Sequence, residues 1–224
     1  MINEILTAKR GTKLRKNGSE VLKITIDQNE MMNILLINDN SFKAENISQL
    51  DLIIKPNNYY MIINNGNNTI ELSYNENISD HEIIYDPYKY TTTEKINYKL
   101  DDFKQIYSVP EGYIDTLPKW YSFKFTYDEF NLIFVKPEMG ISFQIHKKRS
   151  ESWEILKGKP IIVSGNQVHY YVESRGMFEN SANSYHTVIN PNKDKDEFVL
   201  IKEKWSGSFD EDDIIRVFNP NKYS

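Results

Sequence analysis

The 224-residue chain sets 27 Lys and Arg against 32 Asp and Glu, a formal charge of −5, so its overall balance recruits neither nucleic acid nor an anionic membrane surface. It contains no cysteine, which excludes disulfides, a thiol nucleophile and thiolate metal ligands, and leaves His, Asp, Glu and Gln to bind any metal. Its 39% hydrophobic content, with 15 Tyr and 11 Phe, describes a globular chain rich in strand-forming side chains. With no apolar leader and no run near the roughly 18 apolar residues of a membrane span, we expect an intracellular, cytoplasmic protein.

Residues 1–20 hold a basic cluster, Lys9, Arg10, Lys13, Arg15 and Lys16, that ends at the turn pair Asn17-Gly18. It follows no helix-start signal and matches no phosphate-loop motif, so it reads as a solvated hairpin or mobile arm. From residue 21 to about 100, apolar runs at 21–26, 33–37, 50–55, 59–64, 69–74 and 82–85 alternate with Asn, Asp and Gly, an all-β rhythm. His81, beside Asp80 in a polar loop, reads as solvated. Residues 86–118 are punctuated by Pro87, Pro110, Gly112 and Pro118, with one helical turn or short strand at 101–107, and mark a boundary. We therefore divide the chain into a β-rich domain at 1–110, of no readable role, and a second β domain at 111–224.

In the second part, strands are expected at 121–127, 131–136, 141–146, 153–156, 160–163, 168–172, 185–189 and 197–204, the pattern of a sandwich or barrel. Chemistry is densest at 144–153. Strand alternation puts Gln144 and His146 on one face, and Lys148 with them. Residues 147–150 read as a turn that lets Glu151 begin the next strand beside the first. A distant His186 is the best candidate to complete a metal site. The alternative is that His146 and His186 are satisfied core histidines. The acidic block 210–213 reads as a solvated charge run.

Val135-Lys136-Pro137, then Ser-Phe-Gln-Ile-His at 142–146, Arg-Ser-Glu-Ser-Trp at 149–153, Gly158, the stretch 185–191, and Gly-Ser-Phe-Asp-Glu-Asp-Asp-Ile-Ile-Arg at 207–216 follow one another in a familiar order. Over roughly 118–220 the chain resembles the cupin domain of type II mannose-6-phosphate isomerases. The resemblance implies a double-stranded β-helix, a jelly-roll barrel enclosing a divalent metal held by Gln144, His146, Glu151 and His186. Such a mixed nitrogen and oxygen set suits zinc first, then manganese, cobalt or iron, better than calcium. The chain departs from the pattern at Lys147 and Lys148, where histidines are usual, and at Ser152.

The implied activity is metal-dependent isomerisation of a sugar phosphate, mannose 6-phosphate to fructose 6-phosphate or a related aldose–ketose pair. Arg149 and Arg216 would bind phosphate or stabilise the intermediate, or else form structural salt bridges with Asp212 or Asp213. Lys148 is a candidate base. The alternatives are a non-catalytic metal-binding cupin acting as a binding or structural protein, and a cupin enzyme of another class such as a dioxygenase. The expected partner is a small sugar phosphate, with a homodimer plausible.

Overall fold

A computed structural model describes residues 2–207 and 213–222. In the first part the strands are β1 (Ile2–Leu6), β2 (Leu14–Lys16), β3 (Leu22–Thr25), β4 (Ile34–Asn38), β5 (Ser41–Lys43), β6 (Ile53–Ile54), β7 (Tyr59–Asn64), β8 (Ile70–Tyr74) and β9 (Glu82–Tyr85). A helix, α1 (Leu100–Ile106), leads to β10 (Asp115–Pro118), β11 (Ser122–Thr126), β12 (Asn131–Val135), β13 (Phe143–His146), β14 (Arg149–Lys157) and β15 (Ile161–Ser164). The chain continues through β16 (Gln167–His169), β17 (Met177–Asn180), β18 (His186–Ile189), β19 (Val199–Gly207) and β20 (Ile214–Phe218). None of the helices described is long and apolar enough to cross a membrane.

Among the described residues three sheets form, in the orders β1-β8-β3-β6, β10-β11-β12-β19-β14-β17 and β20-β13-β18-β15-β16-β5-β4-β7-β2-β9. The last draws strands from both ends of the chain, joined where Gln167 of β16 pairs with Ser41 of β5. Because successive side chains of a strand point to opposite faces, each half of this long sheet serves two cores. Leu35 and Ile37 of β4 pack with Ile161 and Val163 of β15 and with Phe143 and Phe218. Their neighbours Ile34 and Leu36 instead face Leu22, Ile24 and Leu72 of the four-stranded sheet.

On the other side, Ile162 and Val188 pack against Trp153, Ile155, Val199 and Ile201 of the six-stranded sheet. That interface is the floor of a second sandwich, and the candidate metal centre lies in it. Helix α1 covers the outer face of the six-stranded sheet, where Phe103, 1% exposed, sits among Phe123, Phe125, Phe134 and Phe198.

Three sequence expectations are corrected. Glu151 does not begin a strand beside β13: β14 starts at Arg149 and pairs with β17 and β19, whereas β13 pairs with β18 and β20. The turn at Lys147 and Lys148 thus carries the chain across the sandwich, so His146 and Glu151 approach from opposite walls. The basic cluster is not a free arm, since β2 is an interior strand between β7 and β9, Lys13 pairs with Asp86 at 2.7 Å and the Arg10 guanidinium stacks on Tyr88. His81 is buried, with its Nδ1 2.8 Å from the Tyr60 hydroxyl and its Nε2 3.7 Å from Glu76.

Candidate metal centre

Directly paired residues share a face of a sheet, and two such rows build the site. On the long sheet, Gln144 is paired with His186 on one side and Arg216 on the other. On the six-stranded sheet, Glu151 pairs with Trp205, and Trp153 with Glu203, which in turn pairs with Asn131 of β12. The inward positions of β14 are Arg149, Glu151, Trp153 and Ile155, all buried.

His146, Glu151 and His186 come together as a buried group whose ligand atoms all lie within 4.8 Å of one another. His146 Nε2 is 3.0 Å from Glu151 Oε1, and His186 Nε2 is 3.5 Å from Glu151 Oε2. The imidazoles lie 5.0 Å apart at 28°, and the Trp153 ring meets His186 edge-on. Arg149 also enters the group, its Nε donating to Glu151 Oε1 at 3.1 Å while Nη2 lies 3.4 Å from His146 Nε2. Arg149 thus pairs with Glu151, and of the two expected partners Asp212 lies outside the described residues.

The donors fit a cation. His186 Nδ1 donates to the Ser184 carbonyl at 3.0 Å, which fixes the tautomer and leaves Nε2 as an acceptor. Burial lowers His186 to about 4, so it is neutral at pH 7. Opposite it, the buried Glu151 Oε2 accepts no hydrogen bond from the described residues. Burial alone would raise Glu151, but the hydrogen bond with His146 and the positive charge of Arg149 outweigh it and hold the group low. A carboxylate oxygen and an imidazole lone pair therefore face each other with no proton between them, an arrangement that a divalent ion satisfies and that is costly without one.

Gln144 stands beside this pair, its Nε2 3.4 Å from His186 Nε2 and its Oε1 accepting from Ser142 Oγ at 2.9 Å. An oxygen ligand from Gln144 requires the opposite orientation of the amide, which exchanges O and N within the same plane. Lys148 is exposed on the turn and is not among the cavity-lining residues, because strand alternation ends at His146. The turn is held by Asp213, whose two carboxylate oxygens accept the Lys147 and Lys148 amides at 3.0 and 2.9 Å. Asp213 is thus part of the scaffold, and of the acidic block 210–213 it alone lies within the described residues.

Beside the group opens a cavity of about 150 Å³. Gln144, Arg149, Glu151 and Glu203 line it, and so do Lys119, Lys124 and Arg216. Sequence reasoning missed Lys119, Lys124 and Glu203. The signal for Glu203 was available: in 199–205 it takes the same strand face as Val199 and Ile201, which makes it an inward carboxylate. Burial and the neighbouring charge of Glu151 push Glu203 up to about 7, against the hydrogen bond from Asn131.

Residues 104–219 match the family described as mannose-6-phosphate isomerase C-terminal. No curated protein matches the chain. Among solved structures, a cupin-2 domain from Rhodospirillum rubrum is 17% identical, with 53% of this chain and 72% of that one covered and a TM-score of 0.36. A cupin-superfamily sugar phosphate isomerase from Silicibacter pomeroyi is 14% identical over 39% of this chain and 60% of its own, with a TM-score of 0.34. A Streptomyces protein with uridine is 11% identical over 50% and 93%, with a TM-score of 0.38.

Proposed function

Since the chain belongs to the mannose-6-phosphate isomerase C-terminal family, we propose that it is a metal-dependent sugar-phosphate isomerase working in the cavity beside His146, Glu151 and His186. The observation that carries this reading is the lining of that cavity: Glu151 of the buried His-Glu-His group reaches it together with Gln144, while Lys119, Lys124 and Arg216 line the same space with positive charge suited to a phosphate monoester. Zinc is the ion best suited to two imidazoles and a carboxylate, with manganese, cobalt and iron as alternatives, and Gln144 is the fourth donor once its amide is turned.

The reaction exchanges a carbonyl and a hydroxyl between C1 and C2 of the sugar through an enediolate. When bound, the metal supplies Lewis-acid polarisation of the carbonyl and of the charge that develops on it. Arg149 holds Glu151 in its ionised state and presents a fixed positive charge on the cavity wall, where a developing oxyanion is stabilised without reorganisation. His186 is kept as a neutral donor by its bond to Ser184, and Asp213 fixes the turn that spaces His146 from Glu151.

A coupled assay of mannose 6-phosphate conversion, run on protein supplemented in turn with zinc, manganese and cobalt, tests this reading. Turnover should require the metal and should vanish together with metal binding in His186→Ala. Folded, metal-loaded protein that converts no aldose phosphate would refute it.

A further inference from the structure

The isomerase chemistry needs a group that removes a proton from one carbon and returns it to the next. We infer that Glu203 is this proton-transfer carboxylate, an assignment that rests on the isomerase reading above.

Three observations carry it. Glu203 is 7% exposed, and what it lines is the same cavity as Gln144, Arg149 and Glu151. It stands opposite Trp153 in the β14–β19 register, one inward position along the sheet from the Glu151–Trp205 pair, so it flanks the candidate metal group without belonging to it. Its oxygens are each held by a neutral donor, Oε1 by the Asn131 amide at 2.8 Å and Oε2 by the Trp153 indole N–H at 3.2 Å.

That chain of side chains crosses three adjacent strands, β12, β19 and β14, in a wall that is otherwise filled by Ile133, Ile155, Val199 and Ile201. An aliphatic residue at 203 would continue the packing without desolvating a carboxyl. Asn131 also leaves its own Oδ1 buried without a hydrogen-bond partner among the described residues, so its position favours the donation to Glu203. The polar bridge aims one carboxyl at the cavity. Since each oxygen accepts one hydrogen bond and carries a further lone pair, Glu203 can take up a proton without leaving its place.

In the step, Glu203 removes the proton on C2 of the aldose phosphate. The C–H electron pair becomes the second C1–C2 bond, and the carbonyl pair moves onto O1. The proton of the 2-hydroxyl then passes to O1, the carbonyl forms at C2, and Glu203 returns its proton to C1. No oxidant, reductant or co-reactant is consumed.

The test is Glu203→Gln in the full chain, compared with Glu203→Asp. Four quantities are read: zinc content, affinity for inorganic phosphate, net isomerisation, and deuterium uptake from heavy water into the sugar carbons by proton NMR. Glu203→Gln should keep its zinc and bind phosphate within about threefold of the parent, yet lose about 10²–10⁴-fold in both isomerisation and deuterium uptake. Glu203→Asp, which keeps the carboxylate but withdraws it, should fall between the two. Isomerisation by Glu203→Gln within about tenfold of the parent overturns the assignment, and so does parallel loss of zinc in both variants, which would make Glu203 a structural support of the centre. A zinc-loaded parent that isomerises no sugar phosphate fails at the isomerase reading itself, and the role of Glu203 falls with it.

Discussion

Glu151 Oε2 and His186 Nε2 lie 3.5 Å apart, one an ionised carboxylate oxygen and the other a lone pair whose ring proton is committed to Ser184. Two acceptors that approach from opposite walls of a sandwich repel unless a cation or a proton lies between them. β14 and β18 lie in different sheets, so the two groups meet from opposite walls of the sandwich. The energetic state of this pair therefore depends on what occupies the space between them.

A divalent metal should therefore stabilise the protein. With the free ion at a hundredfold excess over its Kd, binding to the folded state alone is worth about 2.7 kcal/mol, which for a chain of this size raises Tm by roughly 5–10 °C. Differential scanning calorimetry with and without zinc, and then with a chelator, reads this directly. Glu151→Gln and His186→Ala should each abolish the shift, and a shift that survives either would locate the ion elsewhere.

The pH dependence of the metal-free protein follows from the same residues. Burial lowers His186 from 6.5 to about 4, so between these values the unfolded chain binds a proton that the folded chain refuses. Stability from this group is complete above pH 6.5 and declines as pH falls towards 4, by about 3 kcal/mol in all. Glu203 acts with the opposite sign, because burial and the charge of Glu151 raise it from 4.5 to about 7, and its contribution is lost as pH rises through that window. Denaturant unfolding between pH 4 and 8 should show His186→Gln flattening the acid side and Glu203→Gln stabilising the protein at pH 8 but not at pH 4. If both variants track the parent at every pH, these groups are not buried as described.

Gly207 closes β19 beside the turn that carries His146 to Glu151. Its φ is +102°, and a Cβ there would meet the Lys148 carbonyl oxygen at 2.6 Å, a backbone atom that cannot swing aside. Gly207→Ala should cost about 1–3 kcal/mol in urea unfolding and should weaken zinc binding, because relief of the clash moves the turn held by Asp213. Equal zinc affinity in the destabilised variant would show that the turn and the centre are mechanically independent.

Much of this arrangement was legible from residue order. The runs at 59–64 and 82–85 coincide with β7 and β9, since their apolar residues and flanking Asn and Asp mark both ends. His146, Glu151 and His186 were legible as a group through the family resemblance of the motifs that carry them, and the fold brings the three together. The short strands β5, β10 and β17 were not, since three or four residues give too little alternation to detect and Pro118 argues against a strand. Glu151 was assigned to the wrong wall because a turn of two residues reads alike whether the chain returns along its own sheet or crosses to another. His81 looked solvated beside Asp80, but its burial depends on Tyr60 of β7, 21 residues earlier. Asp213 looked like a solvated charge because its partners are amides more than 60 residues away.

The positive wall makes the last prediction. Lys124 and Arg216 line the cavity from different sheets, β11 in one and β20 in the other, and Lys119 lies just before β11. If they hold the phosphate, replacing any one by alanine removes a charge-assisted contact worth about 1.5–3 kcal/mol when shielded from water, and less at the partly open mouth. Lys124→Ala and Arg216→Ala should each raise KM for the sugar phosphate by about tenfold while leaving kcat close to that of the parent, because the phosphate is bound alike in the ground and transition states. The effect should shrink as ionic strength rises, since these groups are partly solvated. Affinity for the unphosphorylated sugar, measured by calorimetry, should not change. If the two variants weakened sugar and sugar phosphate equally, the positive wall would be shaping the cavity rather than recognising the anion.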